Sequence, residues 1–194
     1  MEYFKQSLKL TLVCLVIFSV LYPLLLWSFG KLVPLQAEGM PVSKNGTIIG
    51  FENIGQNFNT DKYFQSRPSA VNYDASSSGA SNYGPSNPDF IKAVKAKIDT
   101  FLIHNPDVKK NEIPIDLLTT SGSGLDPDIS YEAAKIQVPR IAITRNLNKE
   151  ILYNLVEIST QKPFLGLFGK PKVNVLKINI SLDSLDNKTK SAAN

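Results

Sequence analysis

The apolar residues divide the chain into two unequal parts. Leu10 to Phe29 form a 20-residue run without a charged side chain, whereas the sequence after Lys31 mixes polar, charged and apolar positions. At a rise of 1.5 Å per residue, about 20 apolar residues in a helix cover the ~30 Å hydrocarbon core of a bilayer. The pattern therefore predicts a short tail over 1–9, one transmembrane helix over 10–30, a soluble domain over 31–182 and a polar tail over 183–194.

A cleaved signal peptide is the alternative interpretation of this run. Lys5 and Lys9 would form its charged region. However, the run is longer than the roughly 7–15 apolar residues of such peptides, and no Ala-x-Ala cleavage site follows it. We therefore expect an uncleaved signal anchor. Pro23 lies inside the run, where a membrane helix tolerates a proline and can kink at it.

The orientation of the span is not decided by the nearby charges. Lys5 and Lys9 precede it, and Lys31 and Lys44 follow it, so the positive-inside rule favours neither direction. The short N-terminal tail and the long following domain favour a cytoplasmic N-terminus and an extracytoplasmic domain. The chain has one cysteine, Cys14, within the span, so a domain outside the cell would form no disulfides.

Two patterns stand out in the first half of the domain. Thr47 to Phe51 predicts a short strand after the turn signal Asn45-Gly46. Of the 23 residues from Ser66 to Pro88, 15 are Ser, Asn, Gly or Pro, a composition also found in disordered linkers. The segment ends where Asn87 can cap a helix that Pro88 begins. A long polar loop with such abrupt boundaries is more often functional than idle.

The second half of the domain alternates helical and strand patterns. Ser130 is expected to cap a helix that runs to about Arg145 and is kinked or split at Pro139. Asn148 is expected to start another helix. Lys172 to Leu182 predicts a strand, with a change of parity at Leu176 that suggests a bulge. The mixture indicates a single small α+β domain.

The sequence lacks the usual catalytic motifs. His104 is its only histidine, and no Gly-x-Ser-x-Gly occurs, which argues against a serine hydrolase. Gly169-Lys170 is followed by Pro171 rather than Ser or Thr, so there is no phosphate-binding P-loop. The net charge of +4 comes from scattered residues without an arginine stripe, and we expect no nucleic-acid binding.

One acidic stretch imitates a calcium-binding loop. Asp126, Asp128 and Ser130 have the spacing of the first three ligands, but Tyr131 stands where such a loop needs glycine. We therefore expect no metal site, and we interpret the stretch as a turn followed by a helix cap.

Several short strings together resemble one protein family. They are Ile54-Gly55-Gln56-Asn57-Phe58, Tyr63-Phe64-Gln65-Ser66-Arg67-Pro68-Ser69-Ala70, Ser78-Gly79-Ala80-Ser81-Asn82, Ser86-Asn87-Pro88, Thr120-Ser121-Gly122-Ser123-Gly124-Leu125-Asp126-Pro127, Gln137-Val138-Pro139-Arg140 and Pro171-Lys172-Val173-Asn174-Val175-Leu176. In this order, and after an N-terminal span, they closely resemble the C subunits (KdpC) of bacterial Kdp potassium-transporting ATPases.

The resemblance implies a non-catalytic subunit of a membrane complex. Its partners would be a channel-like potassium-binding subunit, a P-type ATPase subunit and a small single-span subunit, within the plasma (inner) membrane. The family is described as a catalytic chaperone that supports ATP binding by the ATPase subunit. We expect no cofactor of its own in this chain, with ATP, Mg and K bound by the complex. The loop over 66–88 is expected to be mobile alone and ordered in that complex.

The resemblance also supplies candidate site residues. Gln137 is the nucleotide-related candidate. Its alternative is a helix-surface residue that makes structural or partner hydrogen bonds, and whose replacement costs about 1 kcal/mol or less. Arg67, Tyr73, Asn82 and Asn87 are candidates for docking onto the channel-like subunit. Their alternative is internal, with Arg67 bracing the loop and Asn87 capping the helix. The rival function is a stand-alone, membrane-anchored extracytoplasmic enzyme or ligand-binding domain.

Overall fold

The computed structural model describes residues 1–33, 39–44 and 46–192, with side chains described as far as residue 185. The chain forms two units, Met1–Phe51 and Glu52–Asn194. The first contains a long apolar helix and a hairpin, and the second combines helices with a small sheet. The expected α+β class with one N-terminal apolar helix is confirmed.

The apolar helix runs without interruption from Glu2 to Leu32. It consists of α1 (Glu2–Val16), a π-helical turn (Ile17–Leu21) and α2 (Tyr22–Leu32). In the part of the chain that the structure describes, it is the one helix long and apolar enough to cross a membrane. It includes residues 2–9 of the segment over 1–9 that we expected to form a separate tail.

The π-helical turn has a cause in the sequence. Pro23 has no N–H, and its ring would clash with the Ser19 carbonyl in a regular α-helix. A wider turn over Ile17–Leu21 relieves this conflict. The hydroxyl of Ser28 donates to the Leu24 carbonyl at 2.8 Å, so the helix itself satisfies this polar group in an apolar setting.

The hairpin that follows pairs two antiparallel strands. They are β1 (Pro41–Lys44) and β2 (Thr47–Phe51). The register joins Lys44 to Thr47 and shifts by a bulge between Val42 and Ser43. The strand expected at Thr47–Phe51 is confirmed, whereas Asn45 of the expected turn lies outside the described residues.

The second unit packs helices against a three-stranded antiparallel sheet in the order β3-β5-β4. Its elements are α3 (Pro88–His104), two 3₁₀ turns (Lys110–Glu112 and Ile115–Leu117), β3 (Asp128–Ser130), α4 (Tyr131–Lys135), α5 (Val138–Arg145), α6 (Lys149–Ser159), β4 (Thr160–Gln161), β5 (Lys172–Asn174) and α7 (Val175–Ala192). In the sheet, Val173 of β5 is paired with Ile129 on one side and Thr160 on the other.

One hydrophobic core lies between the sheet and the helices. Burial of such apolar side chains is the main favourable term in folding. The most deeply buried members are Phe64, Ile129, Ala133, Ala134, Val138, Ile141, Leu152, Val156, Val173, Val175, Ile178 and Leu182.

The expected helix starts are confirmed. The Asn87 side chain accepts from the N–H groups of Asp89 and Phe90. Ser130 and Asn148 cap α4 and α6 in the same manner. The helix expected from Ser130 to Arg145 is split into α4 and α5, two residues before Pro139, because the proline cannot donate to the preceding turn.

The strand expected over Lys172–Leu182 is wrong beyond Asn174. The structure has β5 over Lys172–Asn174 and then α7. The Asn174 side chain accepts from the Lys177 N–H at 3.1 Å, as an N-cap does. The parity change at Leu176 therefore marks the start of a helix rather than a bulge. α7 continues to Ala192, through most of the expected polar tail.

Candidate functional site

Two of the family-like strings, Tyr63–Ala70 and Gln137–Arg140, meet at the segment Asp61–Arg67, which we call the clamped segment. It lies outside the helices and strands, yet Phe64 at its centre is completely buried. An extended backbone inside a protein needs partners for its N–H and C=O groups. Side chains of α5, α7 and the residue before α5 supply them.

Two amide side chains pair with the backbone of consecutive residues. Asn179 accepts from the Phe64 N–H and donates to the Phe64 carbonyl, both at 2.9 Å. Gln137 accepts from the Gln65 N–H at 2.8 Å and donates to the Gln65 carbonyl at 3.3 Å. Each amide thus takes the place that a neighbouring β-strand would occupy.

Gln137 has no capacity left for another ligand. Its side chain also donates to the Ala133 carbonyl at 3.0 Å and accepts from Arg140 at 2.7 Å. Two donors and two acceptors are all that an amide side chain offers. The structural hydrogen bonds expected of Gln137 are present, but its expected position on a helix surface is wrong, since its exposed fraction is 0%.

Arg140 holds the start of the clamped segment. It donates to the Asp61 carbonyl at 2.6 Å, to the Tyr63 carbonyl at 3.1 Å and to the Asn105 side chain at 3.1 Å. Burial lowers the pKa of Arg140 to about 10, while the Asp61 carboxylate opposes this shift. Arg140 therefore remains charged at neutral pH. The charge has hydrogen-bonding partners, as a buried guanidinium requires.

A second arginine closes the cluster at its outer edge. Arg145 donates to the Lys62 carbonyl at 2.6 Å and pairs with Asp183 at 3.0 Å. Its guanidinium lies 4.7 Å from the centre of the Tyr63 ring, a distance suited to a cation–π contact. Burial and then the Asp183 charge raise the pKa of the Tyr63 hydroxyl.

The sequence analysis did not single out Asn105, Arg140, Arg145 or Asn179. Arg140 is part of one of the quoted strings, and its charge among the apolar residues Val138, Ile141 and Ala142 was the available signal. Asn179 gave no such signal, because its partner Phe64 lies 115 residues away along the chain.

The loop over 66–88 is fastened to the glycine-rich turn around Gly124. Ser69 donates to the Gly124 carbonyl at 2.6 Å, and the Gly79 N–H donates to the Ser123 carbonyl at 2.9 Å. A Cβ at Gly124, where φ is +69°, would lie 2.7 Å from the Gly79 carbonyl oxygen. The two segments approach too closely for any residue but glycine at this position.

Of the docking candidates, Arg67 and Tyr73 take part in this internal network. Arg67 pairs with Asp126 at 2.8 Å. The Tyr73 hydroxyl donates to the Arg67 carbonyl at 2.6 Å, and burial raises the pKa of Tyr73. Asn87 caps α3. Asn82 is exposed with φ at +54°, and its side chain has no partner among the described residues.

The residues considered for catalysis or metal binding have structural partners. His104 ends α3 and lies 2.8 Å from the Asp61 carboxylate. Asp128 pairs with Lys172 at 2.5 Å, Asp126 with Arg67, and Ser130 caps α4. Within the described ranges, no group of three His, Cys, Asp or Glu side chains could hold a metal ion.

An open groove of about 520 Å³ runs between α3 and the clamped segment. Its lining combines amides such as Asn57, Asn59 and Gln65 with Lys97 and His104. These groups can donate and accept hydrogen bonds to a partner. They do not form a nucleophile–base pair, which would need side chains of both kinds within hydrogen-bonding reach.

Comparison with known proteins shows the family. The family model described as "KdpC: K+-transporting ATPase, c chain" matches residues 4–184. A potassium-transporting ATPase KdpC subunit from Bacteroides fragilis is 46% identical over 191 residues, which cover 97% of this chain and 100% of the relative. Those of Caldanaerobacter subterraneus and Flavobacterium psychrophilum are 47% and 48% identical, over 93% and 92% of this chain and 94% and 96% of their own lengths. On these matches, the chain belongs to the KdpC family, the c chains of K⁺-transporting ATPases.

Proposed function

We propose that this chain is a non-catalytic accessory subunit of an ATP-driven, high-affinity potassium uptake complex. It assembles and stabilises the complex and acts as a catalytic chaperone for ATP binding by the P-type ATPase subunit. Its other partners are the channel-like subunit, the small single-span subunit and the lipid bilayer. The N-terminus is cytoplasmic and the domain extracytoplasmic.

One observation carries the proposal of a non-catalytic role. Several polar side chains in the family-like strings form internal hydrogen bonds, among them Ser66, Arg67 and Ser69. Gln137 in particular has all four of its hydrogen-bonding capacities filled. A group held in this way stabilises one conformation and is not free to bind substrate. This favours a rigid binding module over an enzyme.

The proposed effect on ATP is indirect. ATP is cytoplasmic, whereas the proposed topology puts the globular domain outside. The domain must then act by a coupling free energy between distant sites, carried by the span and the channel-like subunit. Such coupling is reciprocal, so ATP binding should also tighten the attachment of this chain to the complex.

The first experiment is purification of the chain from its native membrane. A subunit should bring the three partners with it, in constant proportion. Recovery of the chain alone, in mild detergent and with activity of its own, would favour the stand-alone enzyme or ligand-binding domain.

The second experiment separates direct from indirect action on ATP. We expect Gln137→Ala to change the Michaelis constant for ATP only in preparations where the variant is also lost from the complex. Gln161→Ala is the matched control, because Gln161 is exposed and lies outside both the buried cluster and the set of docking candidates. A raised Michaelis constant in a fully assembled Gln137→Ala complex would contradict the indirect mechanism.

A further inference from the structure

A turn between β4 and β5 exposes four large apolar side chains within five residues. We call Phe164–Phe168 the apolar tip. Phe164, Leu165, Leu167 and Phe168 are 71%, 74%, 81% and 65% exposed. Elsewhere in the second unit, the described apolar residues with high exposure stand singly. A cluster of this kind marks an interaction site more often than an ordinary soluble surface.

The backbone of the apolar tip is closed on itself. Phe164 and Phe168 exchange N–H···O=C hydrogen bonds of 2.9 and 3.0 Å. The Gly166 N–H donates to the Pro163 carbonyl at 3.0 Å, and the Leu167 N–H donates to the Phe164 carbonyl at 3.1 Å. Four backbone donors are therefore satisfied without water. This reduces the cost of moving the tip into an apolar medium.

Cationic side chains flank the apolar tip on both sides along the chain. Lys162 precedes it and Lys170 follows it, and neither forms an ion pair with any described residue. Lys172, further along, is neutralised by Asp128. Large apolar side chains next to lysines form the combination that binds membrane interfaces with anionic headgroups.

We propose that the apolar tip inserts into the interfacial region of the bilayer, with Lys162 and Lys170 at anionic lipid headgroups. Two observations favour lipid over a protein partner. The chain carries its own candidate membrane span, so the domain is tethered to a bilayer. The charge is confined to the flanks of a wholly apolar turn, which matches the layering of headgroups over acyl chains.

The test uses the full chain reconstituted in vesicles of phosphatidylcholine and phosphatidylglycerol in equal parts. In a Trp27→Phe background, which removes the native tryptophan, Leu167→Trp places one fluorophore at the apolar tip. Ile103→Trp, at a position that is 77% exposed on α3, is the matched control. Phe164→Trp provides a second reporter at the tip.

Lipids brominated on their acyl chains quench only fluorophores that enter the bilayer. We expect Leu167→Trp and Phe164→Trp to lose most of their fluorescence with brominated lipid, and Ile103→Trp to keep it. Emission from both tip variants that is unquenched and red-shifted would overturn the proposal. Blue-shifted emission without quenching would also overturn it, since it would mean that protein rather than lipid covers the tip.

A second part of the experiment tests whether Lys162 and Lys170 contact anionic headgroups. Removing phosphatidylglycerol, or replacing both residues by Lys162→Gln and Lys170→Gln, should reduce the quenching of Leu167→Trp. Quenching that is unchanged in both cases would overturn the assignment of the lysines to anionic headgroups.

Discussion

At the scale of single residues, Gln137 and Asn179 show how side chains can take over the role of a β-strand. Each amide both donates to and accepts from one backbone residue of the clamped segment. Because both amides are buried, water cannot replace them after substitution. Removing one partner of such a pair costs more than the pair contributes, since buried groups are left unpaired.

Gln137→Ala should therefore destabilise the domain more than the 1 kcal/mol or less expected of a surface residue. The change leaves the Gln65 N–H and one Arg140 donor without their partner, and we expect the free energy of unfolding to fall by about 2–4 kcal/mol. Urea unfolding of the full chain in detergent would measure it. Gln161→Ala, at an exposed position, is the control and should change stability by less than about 0.5 kcal/mol.

Tyr73 makes stability depend on pH in the alkaline range. Burial raises its pKa above the ordinary value of 10.0, so the folded state keeps the phenolic proton longer than the unfolded state. As pH rises through 10, the unfolded chain therefore binds fewer protons than the folded chain does. The free energy of unfolding consequently falls as pH rises in this range.

Tyr73→Phe removes this dependence. The variant should lose about 1 kcal/mol at neutral pH with the hydrogen bond to the Arg67 carbonyl, but its stability should fall less steeply than that of the native chain above pH 10. Absorbance titration of the seven tyrosines should also lose one late-titrating group. If the free energies of unfolding of the two proteins fell equally steeply above pH 10, the assignment of this pH dependence to Tyr73 would be contradicted.

At the scale of elements, local signals predicted the helix starts, whereas contacts distant in sequence could not be predicted. Asn87, Ser130 and Asn148 each cap the helix that follows within the next few residues, so the signal is contained in the string itself. The clamped segment depends on partners 72 and 115 residues away. The strand expected over Lys172–Leu182 failed because alternating apolar residues also satisfy a helical period, with Val175, Ile178 and Leu182 on one face.

The backbone around Gly55 lies so close to that of Asp126 that no side chain fits at Gly55, whereas Gly122 has open space beside it. A Cβ at Gly55 would lie 2.6 Å from the Asp126 carbonyl oxygen, whereas a Cβ at Gly122 would meet nothing within 4 Å. We expect Gly55→Ala to lower the free energy of unfolding by about 1–3 kcal/mol, as overpacking does. Gly122→Ala should leave it nearly unchanged, and equal losses in the two variants would refute this account.

In the isolated chain, the amides of the loop over 66–88 should differ in their protection from hydrogen exchange. The sequence predicted a loop that is mobile in the isolated domain, and it did not predict the hydrogen bonds that join Ser69 and Gly79 to Gly124 and Ser123. We expect slow hydrogen exchange at Gly79, fast exchange at Tyr83 and Gly84, and protection of the latter two in the complex. Exchange that is equally fast at all three amides would show that the bonds do not hold in solution.

At the scale of the whole molecule, the span and the domain have different tasks. The core of the domain lies entirely in residues after Glu52, so its stability does not require the apolar helix. Membrane helices associate through lateral packing, which a soluble domain cannot replace. The KdpC chain should therefore need its own span to assemble, although not to fold.

A chain that begins at Lys31 should fold but join the complex poorly. Its thermal unfolding should match that of the full domain, while co-purification with the partner subunits and potassium transport should both fall strongly. An unrelated membrane helix placed before Lys31 is the control for anchoring alone. If that helix restores the domain to the membrane but not to the complex, packing by residues Glu2–Leu32 is specific. Full assembly and transport by the chain without any span would show that the domain surface suffices, and that the helix serves only for targeting.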